Sequence, residues 1–341
     1  MFEYDTEYMG RALRLARCGL GNVSPNPMVG SVIVGADGRI LGEGYHRRYG
    51  QGHAEVNAIA SVAEADRPLL HDATMYVTLE PCSHYGKTPP CAKLIIDTGI
   101  PRVVVGARDP FEAVSGRGIA MLRDAGVDVV VGVMERESRE LNASFITAHT
   151  HRRPFVMLKW ACSADGFMDV RRSAADAPYR FSGRLGQTLV HRQRSLFDAI
   201  MVGAGTVAAD NPRLDVRLWS GRSPRPVVLG DIPADAAVMK GDPIVWRSHA
   251  PVDEVLADLY SRGITSLMVE GGAAVLRSFV EAGLWDVARV ERAPVTLGAD
   301  GRAPSPSLPG APVAAVTVCN NNVSVYSNNP LVTPGNALRY V

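Results

Sequence analysis

The sequence predicts an α/β protein of two successive domains, on the strength of three observations. Apolar, β-branched runs of strand length alternate with stretches of helical spacing along most of the chain. The length of 341 residues exceeds what one hydrophobic core usually organises. Near the middle, the polar stretch His151-Arg152-Arg153-Pro154 breaks the pattern before a new apolar run begins, and a residue before proline is driven away from helix. The expected domains therefore cover residues 1–150 and 151–341, with no internal repeat relating them.

In the first half, apolar residues at Met9, Ala12, Leu13, Leu15 and Ala16 keep helical spacing, so residues 6–19 predict an amphipathic helix stopped at Gly19. Residues 28–34 and 40–45 flank Gly35-Ala36-Asp37-Gly38, a tight-turn composition, and predict a hairpin. Helices are expected at 53–63, 91–99, 118–125 and 136–150, and strands at 74–79, 102–107 and 127–132. Strands alternating with helices imply a sheet covered on both faces.

The second half restarts with a strand at 155–161 and the turn Ser163-Ala164-Asp165-Gly166. A helix at 185–196 and a strand at 199–203 follow, and the glycines from Gly203 to Gly205 are expected to open a loop toward Asp210-Asn211-Pro212. Strands at 226–229, 244–246 and 266–269 then alternate with helices at 252–262 and 273–282.

Composition excludes several classes of function. With 46% hydrophobic and 21% charged residues, the chain buries enough apolar surface to be globular. Lys plus Arg (36) nearly cancel Asp plus Glu (35), and the basic residues are scattered, which argues against nucleic acid as a partner. No apolar run is long enough to span a bilayer, and the acidic start is unlike a signal peptide, so a cytoplasmic protein with no membrane partner is expected. Five cysteines make a poor disulfide framework. Cys18, Cys162 and Cys319 are expected to act as small buried hydrophobes.

The other two cysteines belong to the sharpest constellation. His53-Ala54-Glu55 is followed by Pro81-Cys82 and, after eight residues, by Cys91. One imidazole and two thiolates suit a catalytic zinc, which takes three protein ligands and keeps a fourth position for water. His53 and Cys82 are expected at helix starts, where helix dipoles favour thiolate, and Cys91 begins a further helix. Glu55 is then the natural proton shuttle between water, a ring nitrogen and departing ammonia. The bland reading is a structural site completed by His46 or His84.

The intervening Ser83-His84-Tyr85-Gly86-Lys87-Thr88-Pro89-Pro90, together with Asn26-Pro27-Met28-Val29-Gly30 and Gly44-Tyr45-His46, resembles the pyrimidine deaminase of riboflavin biosynthesis. The resemblance implies that Asn26, His46, His84 and Lys87 hold the pyrimidine and its ribose phosphate. Farther on, Leu158-Lys159, Ser163-x-Asp165-Gly166, Val202-Gly203-x-Gly205-Thr206, Asp210-Asn211-Pro212 and Val269-Glu270-Gly271-Gly272 resemble that deaminase's reductase partner.

The whole chain is thus similar to the bifunctional deaminase-reductase family of that pathway. The implied fold is a cytidine-deaminase-like mixed sheet domain followed by a dihydrofolate-reductase-like α/β domain. One zinc ion per chain and NADPH are the implied cofactors, and a homo-oligomer the implied assembly. By the same resemblance, Ala161, Thr206, Asp210, Gly271 and Gly272 contact NADPH, and Arg194, Leu214 and Arg217 surround the substrate. Lys159 and Glu270 assist ring opening and protonation at O4′. Lys159 lies in an apolar strand, so it is expected to need a partner. The segment before the 185–196 helix carries Ala177-Pro178-Tyr179-Arg180 where the family has G-E/D-S-x-W.

Two alternatives stand beside this reading. One is a deaminase with a decayed reductase half, and the other is a structural zinc protein or nucleic-acid-binding module.

Overall fold

The computed structural model describes residues 3–83, 89–110, 115–173 and 176–341. The chain divides into two compact units, Met1–His151 and Arg152–Val341.

The first unit begins with α1 (Glu3–Arg17) and the antiparallel hairpin β1 (Gly30–Val34) and β2 (Ile40–Tyr45). It continues through α2 (Ala54–Ala60), a 3-10 helix (Glu64–Asp72), β3 (Thr74–Leu79), α3 (Cys91–Thr98), β4 (Arg102–Ala107), α4 (Arg117–Asp124), β5 (Asp128–Val131), α5 (Glu135–Leu141) and α6 (Ala143–His151). The five strands form one sheet in the order β2-β1-β3-β4-β5. β1 runs antiparallel to β2 and β3, and β3, β4 and β5 are parallel, so the sheet is mixed. Alternation along the strands feeds two cores. Val32, Val34, Tyr76 and Val104 pack against Met9, Leu13 and Ala16 of α1, while Ile33, Met75, Val77, Val103 and Val105 pack against the opposite helices.

Two expectations fail here. The helix expected over 136–150 is two helices broken at Asn142, whose amide accepts from Met28 N (2.8 Å) and donates to Met28 O (2.9 Å). A side chain tied to strand-like backbone competes with helix continuation. Cys18 and Cys319 are exposed rather than buried: Cys18 lies just past the end of α1, and Cys319 sits in the β14–β15 turn described below with φ of 48°. All five cysteines are free.

The second unit comprises β6 (Phe155–Cys162), β7 (Phe167–Val170), α7 (Arg184–Arg194), β8 (Ala199–Gly203), α8 (Ala204–Asp210), β9 (Arg225–Leu229), β10 (Ile244–Trp246), α9 (Val252–Ser261), β11 (Ser266–Val269), α10 (Ala273–Glu281), β12 (Val287–Arg292), β13 (Gly301–Pro304), β14 (Ala314–Val318) and β15 (Asn321–Ser327). Eight strands form a sheet in the order β10-β9-β8-β11-β6-β12-β15-β14, and β7 pairs with β13 apart from it. The run from β10 to β12 is parallel, and β15 and β14 complete the sheet antiparallel.

The loop expected after Gly203 is helix α8, which starts at Ala204 directly from the strand. β12 to β15 lie beyond the last element legible in the sequence. β12 and β15 break up their apolar residues with polar or charged ones, and the edge strand β14, though mostly apolar, alternates between partly covered and exposed residues.

Candidate active sites

In the first unit, the ligand set converges from three segments. His53 is the residue before α2, Cys82 lies in the coil after β3, and Cys91 opens α3. Cys82 is itself coil, as is Ser83 after it, rather than the start of a helix. It still gains from a helix terminus, since the backbone amide of Cys91 at the start of α3 donates to Cys82 Sγ at 3.3 Å. Close packing brings α2 onto the sheet: a Cβ on Gly44 would lie 2.3 Å from Ala58 N, so only glycine allows α2 this near to β2.

His53 Nδ1 lies 3.6 Å from Cys82 Sγ and 3.4 Å from Cys91 Sγ. The three ligand atoms all fall within 4.8 Å of one another. Tetrahedral zinc with ordinary Zn–S and Zn–N bonds separates such atoms by about 3.5 Å, so the donor set fits that ion in both chemistry and spacing. The two sulfurs share a proton unequally. The contact with Cys91 holds the Cys82 thiol down to about 4 against its burial, and the contact with Cys82, then burial, drives Cys91 up. Donation to the Cys82 sulfur likewise raises His53.

A cavity of about 320 Å³ opens on this cluster, lined by Asn26, His46, His53, Glu55 and Cys82, with Leu79, Glu80, Asp109, Phe145 and His149 among its other walls. Glu55 is buried, and burial, then the Cys82 thiolate, push its carboxyl up to about 7. A bound dication would draw it back down. His46 Nε2 lies 3.2 Å from Asn26 Nδ2, its Nδ1 lies 3.1 Å from Gly52 O, and burial lowers its pKa. His84 and Lys87 lie outside the described residues.

The sequence reading missed Glu80 altogether. This buried carboxylate accepts backbone amides of Gly116 and Gly118 at 3.0 Å, and of Asp109 and Ile119 at 3.3 Å. It ties Asp109, Gly116, Gly118 and Ile119 to the end of β3 beside Cys82, where a Cβ on Gly118 would sit 1.9 Å from Pro81 O. Its only signal in sequence is its place before Pro81-Cys82.

In the second unit, a cavity of about 930 Å³ brings together Lys159, Ala161, Arg194, Thr206, Asp210, Leu214, Arg217, Glu270, Gly271 and Gly272. Glu270 follows β11, and Arg194 at the end of α7 grips it through two bonds, Nε–Oε1 at 2.9 Å and Nη2–Oε2 at 2.7 Å. Burial works to raise Glu270, and Arg194, then Lys159, overcome it and bring the carboxyl down to about 2. Arg194 is thus bound to a carboxylate rather than open toward solvent.

Lys159 is half-buried, its pKa lowered by burial. The partner expected for it is not found: among the described residues its amine has no hydrogen bond or ion pair.

Thr206 Oγ1 accepts from Gly272 N at 3.0 Å, joining the start of α8 to the start of α10. Arg172, also missed in the sequence, holds Asp210 by an ion pair while bonding Asp169 at 3.0 Å and Ala209 O at 3.2 Å. Leu214 is buried with φ of 57°, a strained conformation for a branched residue, of the kind that clusters at functional sites. Pro178, Tyr179 and Arg180, from the segment that departs from G-E/D-S-x-W, line the same cavity.

Comparison with known proteins assigns both halves. Residues 154–328 match the RibD C-terminal domain, and residues 2–107 match the cytidine and deoxycytidylate deaminase zinc-binding region. The riboflavin biosynthesis protein RibD of Aquifex aeolicus is 37% identical over 87% of this chain and 88% of its own. The chain belongs to the RibD family. The RibD of Bacillus amyloliquefaciens is 39% identical over 85% of each chain. Among solved structures, a diaminohydroxyphosphoribosylaminopyrimidine deaminase/5-amino-6-(5-phosphoribosylamino)uracil reductase from Thermotoga maritima aligns with TM-score 0.82 at 36% identity, over 95% of this chain and 98% of that one. Acinetobacter baumannii RibD aligns with TM-score 0.85 at 30% identity over the same shares.

As a RibD family member, this chain is a bifunctional enzyme of riboflavin biosynthesis, a zinc-dependent deaminase and an NADPH-dependent reductase acting on a small molecule. Its fold is correspondingly a cytidine-deaminase-like domain followed by a RibD reductase domain. Among the described residues, no helix is long and apolar enough to cross a membrane.

Proposed function

We propose that residues 1–150 deaminate 2,5-diamino-6-ribosylamino-4(3H)-pyrimidinone 5′-phosphate, and that residues 151–341 reduce the ribosyl chain of the product to ribityl. The observation that carries the first step is a buried carboxylate, Glu55, lining one cavity with His53 and Cys82. When held by His53, Cys82 and Cys91, zinc lowers the pKa of water toward neutrality and so supplies a nucleophile. Glu55 takes a proton from that water and passes it to the ring nitrogen, then takes the second from the hydroxyl now on carbon and passes it to the amine, so that the C–N bond breaks, ammonia leaves and the carbonyl forms. Asn26 and His46 hold the pyrimidine edge, and His84 and Lys87 take the ribose phosphate.

For the second step, NADPH supplies the hydride. Ala161, Thr206, Asp210, Gly271 and Gly272 form its seat. The glycines precede α10, where backbone amides can donate to a phosphate at close range. Arg217 and Leu214 contact the substrate, and Arg194 acts on it through Glu270. Breaking the C1′–O4′ bond with a proton from Lys159 on O4′, Glu270 beside it, leaves a protonated imine at C1′. Hydride addition at C1′ and that proton complete the ribityl chain.

The test is to incubate the full chain with the diaminopyrimidine phosphate, with and without NADPH, and to identify products by mass. A product one deamination step on without NADPH, and two hydrogens heavier with it, is expected. Failure of either mass change overturns the corresponding half. The free thiols support a cytoplasmic setting, and light scattering tests the homo-oligomer that the proposal includes.

A further inference from the structure

Beside the reductase cavity lies a second buried ion pair that the activity described above does not use. Arg289 and Glu291 stand two apart on β12, both essentially without exposure, at 0% and 1%. Their register pairs Arg289 with Lys159 and Glu291 with Ala161 of the parallel neighbour β6. Paired residues on adjacent strands point to the same face, so this ion pair shares the face of the sheet on which Lys159 meets the cavity.

The pair is tied on several sides. Arg289 Nη1 bonds Glu291 Oε2 at 3.2 Å, and Arg289 Nε donates to Val341 O at 3.3 Å. Asn321 Nδ2 donates to Glu291 Oε1 at 2.7 Å and to Phe181 O at 2.9 Å. Among the described residues, Arg289 Nη2 is buried with no partner. Stability does not explain this arrangement, because an apolar pair of similar volume at a buried position usually holds a fold as well or better.

The charges facing Lys159 come from three elements: Glu270 after β11, Arg194 on α7, and Arg289 and Glu291 on β12. His191 of α7 lines the same cavity. Each of the two carboxylates is held by its own arginine, Glu270 by Arg194 and Glu291 by Arg289. Among the described residues, Lys159 is the one of these three cations left without a carboxylate. We propose that the Arg289–Glu291 pair is a positioning device that keeps Glu291 occupied, so that the Lys159 amine stays unclaimed and presented to the reductase substrate. Without Arg289, Glu291 lies diagonally across from Lys159, within reach of a lysine side chain, and captures it. The positive charge of Arg289 acts in the same direction, disfavouring a fully charged amine beside it. This inference rests on Lys159 serving the reductase step.

The test uses the full chain, NADPH and the deaminated intermediate. Arg289→Met is expected to lower reductase kcat by roughly tenfold or more, with a smaller change in KM, and to move the alkaline limb of the kcat profile upward by about one pH unit. Arg289→Met/Glu291→Gln removes the captor as well, and is expected to return both kcat and the limb to within about threefold and a few tenths of a unit of the parent. A single variant that loses only thermal stability, or a double variant no better than the single, would overturn the proposal. Titration of Lys159 in the unaltered protein, followed by NMR of a labelled amine, stands beside the variants if Arg289→Met does not fold. A value below the ordinary lysine range is expected, and one at or above it overturns the proposal. Lys159→Met separates the two levels: if it leaves NADPH oxidation intact, the reading of the reductase site fails. If it abolishes oxidation while the Arg289 variants behave like the parent, only the positioning role fails.

Discussion

The two sites solve the problem of holding reactive groups by different means. In the first unit, three ligand atoms meet within 4.8 Å and the cavity above them is about 320 Å³. In the second, the cavity is about 930 Å³ and its charged residues are spread along the chain from Lys159 to Glu270. The small site fixes its chemistry at one point, where a metal concentrates charge and the protein needs one well-placed carboxylate. The large site has room for a dinucleotide beside a substrate, and it sets its chemistry through competition among buried charges. A change at the first site should therefore act all or none, while changes at the second should act by re-partnering.

The sharpest way to break this contrast is Glu55→Gln. Ammonia release is expected to fall by about 10²- to 10⁴-fold, with NADPH oxidation on the deaminated intermediate unchanged. Loss of both activities in a folded variant would show that the sites are not separable. Metal removal follows: a strong chelator should abolish deamination and lower the unfolding temperature of the first unit, while the reductase keeps its rate. Re-addition of zinc alone should restore both, measured by ammonia release and calorimetry.

A smaller effect is expected in the pH dependence of stability of the second unit. The folded-state pKa of Glu270 is depressed, to about 2. Its contribution is therefore present above the ordinary carboxylate value and is lost as pH falls from there through about 2. For a buried group that contribution is on the order of 3 kcal/mol. Glu270→Gln should flatten that part of the acid-unfolding curve. A curve of unchanged slope would mean that Arg194 does not hold the charge.

The smallest expected change is Asn142→Ala. Losing both bonds to Met28 should cost about 1–3 kcal/mol, seen as a lower denaturant midpoint for the first unit, because Met28 follows Asn26 and Pro27 at the wall of the deaminase cavity.

The sequence made different amounts of the two sites legible. His53, Glu55, Cys82 and Cys91 stand out because a metal requires particular donor atoms, and few residue types provide them. Lys159 stood out as a cation in an apolar strand expected to need a partner, and among the described residues no hydrogen bond or ion pair reaches its amine. Glu80 was invisible, since its role lies in four backbone amides donated from residues 109–119. Arg172 and Asp210 are 38 positions apart and meet only when α8 packs beside the end of β7. The helix break at Asn142 was likewise unreadable, because its partner Met28 is 114 positions away.

The sequence by itself determined the α/β class, the strands with strong alternation and the His53, Cys82 and Cys91 group that could hold a metal. These depend on side-chain chemistry and on periodicities that repeat over a few residues. Only the tertiary structure decided that Arg194 belongs to Glu270, that Arg289 belongs to Glu291, and that the tail from Pro304 onward supplies β14 and β15 to the sheet. The physical reason is common to all three. A buried charge takes whichever opposite charge the fold brings within reach, and an edge strand is stabilised by the neighbour it pairs with, so neither outcome is written in the local run of residues.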